Sequence, residues 1–281
     1  LMVLCYNAVA QTQLLIEKEL IKLSLLPELI HNGTLVVDDI EDSSPLRRGK
    51  PSLHVAFGVP IAVNAGTFLY YLPTQLIKQA TLPTDAKLKI YEMINEEMLS
   101  VMVGQGADIF WAQKGAFEVN VAAYFAMCAK KTGALLRMAA KLGVILAHGS
   151  AQQLEALAQF AESFGVAFQI KDDVLNLKGQ AGKEYGDDIT EGKRSLPVIR
   201  TLAVAAAKDK ERLLQILDLH TTDKQLIREA IEIIEDNGSL DFAEKMAKEM
   251  AAESWSKADS VLADSEAKQM LKGLADFMIV R

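Results

Sequence analysis

The sequence predicts an all-α fold of about ten or more helices that form a single domain over residues 1–281. Glycine and proline are scarce, at 17 and 7 residues, so long helices can run without interruption. Apolar residues recur at helical spacing near the C-terminal end, as at Ala243, Met246, Ala247 and Met250. The chain has no internal repeat and no linker rich in Ser, Gly or Pro, so nothing marks a second domain.

Breakers and capping residues set the predicted helix boundaries. Pro27 suits a first helical turn, Pro60 opens a helix, and Thr84 or Asp85 can cap another. The predicted segments are a helix over 27–43, a loop over 45–51, a helix from 60, helices over about 84–111, 118–148 and 151–177, a polar loop over 178–196, and further helices from 197 to the end.

The longest apolar stretch, residues 61–72, does not predict a membrane span. Asn64 interrupts it and Pro73 ends it, and it is shorter than the roughly 20 residues that a bilayer requires. We expect a core helix there and no transmembrane segment. The sequence begins with Leu1 rather than methionine, so we expect that the native start, with any targeting segment, lies upstream.

Charge and cysteine content exclude several classes of function. The chain has 30 Lys and Arg against 37 Asp and Glu, a net charge of −7, and no extended basic tract, so a nucleic-acid partner is not expected. Cys5 and Cys128 cannot form a disulfide framework, and no Cys and His spacing is that of a zinc site. We expect a reducing, cytoplasmic location.

Two apolar segments end in acidic clusters. In the first acid motif, Asp38 to Asp42, the outer aspartates are four residues apart and share one face of a helix. The second acid motif, Asp172 to Asn176, has the same spacing. Burying like charges is costly unless a cation lies between them, and oxygen ligands without His or Cys favour Mg²⁺. The sequence therefore predicts a magnesium site that is completed by phosphate oxygens.

Two other interpretations of the acid motifs are open. Acidic residues at helix ends are often solvated, and a further pair, Asp187 and Asp188, lies in the polar loop. The apolar run before Asp38 could instead be a buried strand that ends in the acid pair of a nucleotide-binding site. That interpretation requires a phosphate loop of the form Gly-x-x-x-x-Gly-Lys-Ser/Thr, which the sequence lacks.

Basic and polar residues before and after the acid motifs occupy positions suited to binding an anion. Adjacent arginines after the first motif can bind a phosphate through paired N–H groups, and lysines in a polar loop can cover one. Taken singly, these lysines and arginines are also typical of solvated surfaces, and a histidine two turns before Asp38 could be a core residue. The candidates are His31, Arg47, Arg48, Lys131, Thr132, Lys183 and Lys193. Together with two acid motifs, they describe a site for a phosphorylated substrate with an apolar body.

The motifs resemble those of the trans-isoprenyl diphosphate synthase family and are closest in style to geranylgeranyl diphosphate synthases. The similarity is strong over residues 1 to about 200. The segments that carry it are His31 with Asp38-Asp39-x-x-Asp42 and Arg47-Arg48-Gly49, Gly104-Gln105-Gly106-x-Asp108, Lys131-Thr132-Gly133, Phe168-Gln169-x-x-Asp172-Asp173, and Gly192-Lys193-x-x-Leu196-Pro197.

The resemblance implies an isoprenoid synthase-type helical bundle around a central cavity, assembled as a homodimer. It implies that three Mg²⁺ ions bind Asp38, Asp42 and Asp172 and clamp the diphosphate of an allylic substrate. The implied catalytic residues are Asp38, Asp39, Asp42, Asp172, Asp173, Lys131 and Lys193, with Asp39 and Asp173 acting in support or through water. The allylic diphosphate or its cation would be held by Arg47, Lys131, Thr132, Gln169, Lys183 and Lys193, and isopentenyl diphosphate by His31 and Arg48.

Two departures from the family pattern concern activity, and two small residues concern product length. The family's Gly-Gly-Lys-x-x-Arg motif is absent, and we expect it upstream of Leu1. The second acid motif ends in Asn176 rather than Asp. By the same resemblance, the small residues Gly33 and Thr34 floor the product pocket, which implies a C20 product or longer. The aromatic residues of 68–71 are candidates for a deeper floor.

Two alternatives to a chain-elongating synthase remain at this point. A terpene cyclase ionises a diphosphate with similar metals, but it needs no isopentenyl diphosphate site, so His31, Arg48 and the loop with Lys193 argue against it. A non-catalytic subunit that modulates a prenyl synthase would explain Asn176 and the absent basic motif. The five aspartates of the two acid motifs argue against such a subunit, because buried acids without a metal are costly.

Overall fold

The structure, a computed structural model, describes residues 1–10, 17–112, 119–179 and 185–280. As predicted, it is all-α apart from one short hairpin in the described part. Its α-helices are α1 (Met2–Val9), α2 (Glu17–Glu41), α3 (Leu53–Phe57), α4 (Val59–Gln79), α5 (Thr84–Ala112), α6 (Val121–Cys128), α7 (Ala134–Leu146), α8 (Ala151–Lys178), α9 (Asp187–Thr190), α10 (Leu196–Val204), α11 (Ala207–Asp218), α12 (Lys224–Asp236), α13 (Ser239–Asp259) and α14 (Glu266–Val280). The hairpin pairs β1 (Leu46–Arg47) with β2 (Lys50–Pro51), and a π turn (Ala129–Gly133) joins α6 to α7.

The chain divides into two compact units. Unit 1 comprises Leu1–Leu99, Leu135–Ala161 and Ser256–Leu274. Unit 2 comprises Ser100–Ala134, Glu162–Trp255 and Ala275–Arg281. The first acid motif belongs to unit 1 and the second to unit 2. A single domain over residues 1–281 stays a prediction.

In unit 1, α2 and α4 pack closely through facing glycines. A Cβ atom on Gly33 would lie 2.9 Å from the carbonyl oxygen of Gly66 and 3.0 Å from the Tyr70 ring. A Cβ on Gly66 would lie 2.9 Å from the Val37 side chain. Because real Cβ contacts are longer than this, only glycine allows the two backbones to approach so closely. The contact fixes the part of α2 that leads into the first acid motif.

The predicted start of α2 at Pro27 is wrong. The helix already runs from Glu17, carries Pro27 inside it, and ends at Glu41 rather than 43. A proline within a helix removes one hydrogen bond and costs about 3 kcal/mol. The side chains of Leu23, Leu26 and Ile30 are fully buried on either side of it. Their burial continues the apolar face across Pro27, and tertiary packing of this kind supplies most of the stability of protein helices.

Helix α2 is also the one described helix whose length and composition would allow a membrane span. Its most apolar 18-residue window is 28% buried. Core helices of this length pass the same test, and α2 packs against α4. Residues 61–72, predicted to form a core helix, lie in α4, which does not meet the same test of length and composition. Half of these residues are exposed and only Ala62 and Gly66 are buried, so the prediction of a core helix is wrong. The cytoplasmic location stays a prediction.

A buried ion cluster ties α5 to α7 within unit 1. The Glu97 carboxylate accepts hydrogen bonds from Arg137 Nε and Nη2, at 3.0 and 2.7 Å to Oε2, and from Lys141 Nζ, at 2.7 Å to Oε1. Glu97 is buried, so removing either cation would leave its charge poorly compensated. The cluster anchors the helix that follows the π turn.

The remaining helix predictions are confirmed except between 118 and 148. Helix α4 has Pro60 in its first turn, α5 begins at Thr84, and α13 buries the predicted face that includes Ala243 and Ala247. The predicted single helix over 118–148 is continuous from Val121 to Leu146, but it consists of α6, the π turn and α7. Sequence periodicity did not show the π turn, which lies against Gly104 of α5 in unit 2.

Candidate functional site

The first acid motif spans the last turn of α2 and the residue that follows it, Asp42, and its aspartates differ in exposure. The Asp39 side chain is buried, with the whole residue 4% exposed. Asp38 and Asp42 are partly exposed. The first and last aspartates therefore face outward, while the second faces the protein.

The hairpin after α2 supplies the cation for Asp39. Its turn residues Arg48 and Gly49 both have positive φ, 53° and 75°, as a two-residue hairpin turn of type I′ requires. This turn directs the Arg47 side chain back to α2, where Nε donates to Asp39 Oδ1 at 2.8 Å and Nη2 donates to the same oxygen. Arg47 Nη2 also lies 3.6 Å from Asp38 Oδ2.

Electrostatics keep Arg47 charged and His31 neutral. Burial alone would lower the pKa of Arg47, but the hydrogen bond to Asp39 and the charges of Asp38 and Asp42 raise it overall. Burial has the largest effect and lowers the pKa of His31, Glu28 raises it by a smaller amount, and Arg48 and Arg47 lower it further. A neutral His31 can donate one N–H hydrogen bond to an anion without bringing a charge.

Of the two predicted pocket-floor residues, Gly33 lies on the face of α2 that packs on α4, whereas Thr34 lies on the face of Asp38. Gly33 contacts Gly66 and the ring of Tyr70, and Thr34 Oγ1 donates to the carbonyl oxygen of His31 at 2.8 Å. Of the aromatic candidates for a deeper floor, Tyr70 lies against Gly33. Phe68 and Tyr71 are 59% and 72% exposed, so their prediction as a floor is wrong for this chain.

The second acid motif, near the end of α8, has the same difference in exposure. Asp172 is partly exposed, whereas Asp173 is 5% exposed. Protein donors hold both oxygens of Asp173: Tyr124 Oη donates to Oδ2 at 2.7 Å, and Gln169 Nε2 donates to Oδ1 at 2.9 Å. Burial raises the pKa of Asp173 to about 6, although these two hydrogen bonds favour the charged form.

The π turn brings the two middle motifs together within unit 2. A Cβ on Gly104 would overlap the backbone nitrogen of Lys131 and lie 2.8 Å from the Lys130 carbonyl carbon, so a glycine is required where α5 crosses the turn. Lys131 Nζ donates to Asp108 Oδ2 at 2.7 Å. Thr132 Oγ1 donates to Gln169 Oε1 at 2.9 Å. Single π turns inside helices are frequently found at functional sites.

The lysine loop, residues 185–195, is tied to the end of α8 by Asn176. The Asn176 side chain is buried, and its Oδ1 accepts the backbone N–H of Asp188 at 3.2 Å. The carbonyl oxygen of Asn176 accepts the N–H of Gly186 at 3.2 Å. In the same loop, Lys193 forms an ion pair with Glu191. The predicted ligand Lys183 lies outside the described residues.

A small polar cavity of about 40 Å³ in unit 2 gathers several predicted residues with others that sequence reasoning did not select. It is lined by Asp108, Tyr124, Met127, Lys131, Gln169, Asp173, Asp188, Lys193, Arg194 and Ser195. A larger cavity of about 500 Å³ lies in unit 1 between α5, α7 and the start of α8, and no residue of the acid motifs lines it. Chemistry rather than size therefore locates the candidate site.

The donor set fits a magnesium ion. The outward-facing side chains of both motifs offer carboxylate oxygens, which suit a hard cation. Among the described residues, no group of three or more His, Cys, Asp or Glu side chains is arranged as a ready-made metal cage. Mg²⁺ keeps several waters and binds through one or two carboxylates and substrate phosphates, so a preformed cage is not required.

Tyr124 is the main functional candidate that sequence reasoning missed. It is a single tyrosine in an apolar segment, seven residues before Lys131, and its partner Asp173 is 49 residues further along the chain. A hydroxyl within an otherwise apolar helix was the available signal, because a buried hydroxyl needs a hydrogen-bond partner.

Comparison of the sequence with known proteins agrees with the resemblance drawn from the motifs. Residues 1–234 match the polyprenyl synthetase family. A short chain isoprenyl diphosphate synthase of Methanothermobacter thermautotrophicus is 34% identical over 259 residues, which are 90% of this chain and 77% of the relative. Geranylgeranyl pyrophosphate synthase dpmaD of Metarhizium anisopliae is 37% identical over 228 residues, 80% of this chain and 65% of that protein.

Solved structures are similar along the whole chain. Geranylgeranyl pyrophosphate synthetase from Pyrococcus horikoshii is 34% identical, with a TM-score of 0.89. The match covers 100% of this chain and 84% of the Pyrococcus chain. A polyprenyl synthase from Caulobacter crescentus, solved in complex with calcium and isoprenyl diphosphate, is 26% identical with a TM-score of 0.87. The match covers 100% of this chain and 83% of the Caulobacter chain.

The close contact at the π turn gives a stability prediction. Gly104→Ala should lower the free energy of unfolding by about 1–3 kcal/mol, because its Cβ has no room beside Lys131. Gly106→Ala, two residues along the same helix and facing open space, should raise it by about 0.5–1 kcal/mol. Urea unfolding followed by circular dichroism measures both. Equal stability of the two variants would show that the contact does not exist.

Proposed function

Because the chain belongs to the polyprenyl synthetase family, we propose that it is a trans-prenyltransferase with one synthase domain over residues 1–281. It condenses isopentenyl diphosphate with an allylic diphosphate to give a trans-polyprenyl diphosphate of C20 or longer. The observation that carries the proposal is shared by both acid motifs: an outward-facing first aspartate, Asp38 or Asp172, precedes a buried second aspartate that protein donors hold in place.

Divalent metal is part of this family's chemistry, and Asp38, Asp42 and Asp172 are the residues that would hold it, as three Mg²⁺ ions. When bound, Mg²⁺ neutralises charge on the departing diphosphate. Asp39 and Asp173 do not need to bind metal directly, since Arg47, Tyr124 and Gln169 already bond to them. Instead, Asp39 and Asp173 hold the two acid motifs in a fixed orientation.

The basic residues of the site would bind the two diphosphates. Arg47, Lys131, Thr132, Gln169, Lys183 and Lys193 act on the allylic substrate. Lys131 and Lys193 line one cavity with Gln169. Arg48 is exposed at the tip of the hairpin turn, and His31 is neutral, so these two would bind the diphosphate of isopentenyl diphosphate through a charge and a single N–H donor.

The atoms and electrons of the proposed reaction balance, and the residues named above bind and position the two substrates. The bond between the allylic carbon and the diphosphate oxygen breaks, and the electron pair leaves with diphosphate. The double bond of isopentenyl diphosphate attacks the allylic cation, and a carbon–carbon bond forms. The proton then lost from the new chain passes to the released diphosphate. Preorganised cations that stabilise the leaving group are the main contribution of such a site.

Homodimer formation is supported by an unpaired apolar stripe in unit 1. Phe57 at the end of α3 and Ile61, Phe68 and Tyr71 on α4 are all more than half exposed. Positions 61, 68 and 71 are seven and three apart, so they share the face of α4 opposite Gly66 and the α2 contact. Exposed apolar patches of this kind mark interaction sites, and we propose that a second copy covers this one.

The activity is tested by incubating the full-length protein with Mg²⁺, isopentenyl diphosphate and each allylic diphosphate in turn. We expect products that grow in five-carbon steps to C20 or beyond, and no product when the metal is chelated. Release of diphosphate without chain growth would establish a terpene cyclase. The absence of any turnover would favour a non-catalytic subunit and would contradict the proposal.

Product length is tested at Thr34, which is one turn before Asp38 on the same face. Thr34→Phe should shorten the main product by one or two five-carbon units, because the larger side chain fills the floor of the pocket. Thr34→Val is the matched control and should leave product length unchanged. Gly33 is less suitable, since any side chain there meets the backbone of Gly66. The same product from Thr34→Phe and wild type would refute the pocket assignment.

The dimer is tested by placing a charge on the apolar stripe. Phe68→Glu should give a monomer in sedimentation velocity, whereas wild type should be a dimer. Leu219→Glu is the control, since Leu219 is 60% exposed, close to the 59% of Phe68, but lies at the end of α11. Neither change should cost more than about 0.5 kcal/mol of stability. A dimeric Phe68→Glu protein would place the interface elsewhere.

A further inference from the structure

We infer that Tyr124 is a positioning residue for the second acid motif: its hydroxyl fixes the Asp173 carboxylate and links that motif to the π turn. The inference rests on the proposed function, because it assigns Tyr124 a part in the metal-dependent binding of diphosphate. It adds a residue that belongs to none of the motifs described above.

The packing around Tyr124 does not need the hydroxyl. The ring is 1% exposed and lies in an apolar cluster with Met127, Val166 and Ile170, and its edge faces the Phe125 ring with centroids 5.9 Å apart. A phenylalanine would fill the same space. The hydroxyl is the only polar part of this side chain, and it points at Asp173 Oδ2 at 2.7 Å.

The hydroxyl completes the restraint of Asp173. Gln169 Nε2 holds the other carboxylate oxygen from one turn back on α8, at 2.9 Å. With a donor on each oxygen, the carboxylate plane cannot rotate freely, so the direction of its remaining lone pairs is set. Removing either donor releases one oxygen of a buried carboxylate that adjoins Asp172, the outward-facing member of the motif.

The hydrogen bonds form a closed route between α6, the π turn and α8. Tyr124 bonds to Asp173, Asp173 to Gln169, and Gln169 to Thr132 Oγ1. An α-helix turns about 100° per residue. Over the eight residues from Tyr124 to Thr132, a regular α-helix would therefore leave the two side chains about 80° apart around the helix axis. The wider π turn reduces this rotation, and both side chains reach α8.

This arrangement connects the second acid motif to a group expected to bind substrate. Thr132 and its neighbour Lys131 lie on the π turn, and Tyr124 lies eight residues before Thr132 in the same continuous helical segment. A displacement of Asp173 is therefore passed to Thr132 through Gln169. Supporting partners of this kind change metal affinity or activity by about ten- to a hundredfold when removed.

The test compares Tyr124→Phe with Tyr91→Phe. The Tyr91 hydroxyl, on α5 in unit 1, donates to the carbonyl oxygen of Thr74 at 3.0 Å and touches no residue of the acid motifs. Each variant loses a buried or part-buried hydroxyl hydrogen bond, and Tyr124→Phe also loses the hydrogen bond between Tyr124 and the Cys128 thiol. Binding of Mn²⁺ in the presence of inorganic diphosphate is measured by calorimetry, together with the thermal unfolding midpoint and the Mg²⁺ dependence of product formation.

We expect Tyr124→Phe to weaken Mn²⁺ binding about tenfold or more and to raise the half-saturating Mg²⁺ concentration, with Tyr91→Phe unchanged in both. If Tyr124→Phe lowers only the unfolding midpoint, the hydroxyl is merely structural and the inference fails. If wild type binds Mn²⁺ and diphosphate but does not elongate any substrate, the proposed function fails while the binding comparison still tests Tyr124.

A second variant keeps the inference testable at the other oxygen. Gln169→Leu removes the second donor to Asp173 and should weaken Mn²⁺ binding in the same direction. Because both changes act through one carboxylate, the double variant should lose less than the sum of the two single losses. Strictly additive losses would show that Tyr124 and Gln169 act independently and would overturn the linked arrangement.

Discussion

The burial of one carboxylate in each acid motif is the constraint on which the candidate site depends. A buried carboxylate costs several kcal/mol unless donors or cations compensate it. In unit 1 the compensation for Asp39 comes from Arg47 on the hairpin, and in unit 2 the compensation for Asp173 comes from Tyr124 and Gln169. Satisfying these buried charges determines where the hairpin turns back and which face of α6 meets α8. The outward aspartates are oriented as a consequence.

Close backbone contacts complete the positioning in each unit. The Gly33 and Gly66 contact fixes the last turns of α2, and the Gly104 contact holds the π turn against α5. At both contacts a glycine lets two backbones touch directly, which leaves little freedom for the adjoining residues to shift. Rigid elements of this kind are what a site needs if its donors are to be in place before the charge on a leaving group develops.

Local chemistry was predictable from the sequence, and long-range contacts were not. The four-residue spacing of Asp38 and Asp42 indicates directly that they share a helix face. The all-α fold class followed from composition and periodicity. The continuation of α2 through Pro27 depends on burial against other helices, and the π turn packs against Gly104, which is distant in the sequence. Tyr124 finds its partner across 49 residues of sequence. No spacing rule contains that information, so these features needed the structure.

The asparagine that ends the second acid motif is explained by the same cost of buried charge. Asn176 is buried near the end of α8, three residues after Asp173, and its Oδ1 accepts the N–H of Asp188, which is itself a buried acid. An aspartate could accept that hydrogen bond as well, but it would add a third negative charge to two buried carboxylates. The amide keeps the acceptor that holds the lysine loop and omits the charge, although its buried Nδ2 has no hydrogen-bond partner among the described residues. The departure at position 176 therefore serves the loop that carries Lys193, and it leaves unchanged the outward carboxylates through which we propose that metal binds.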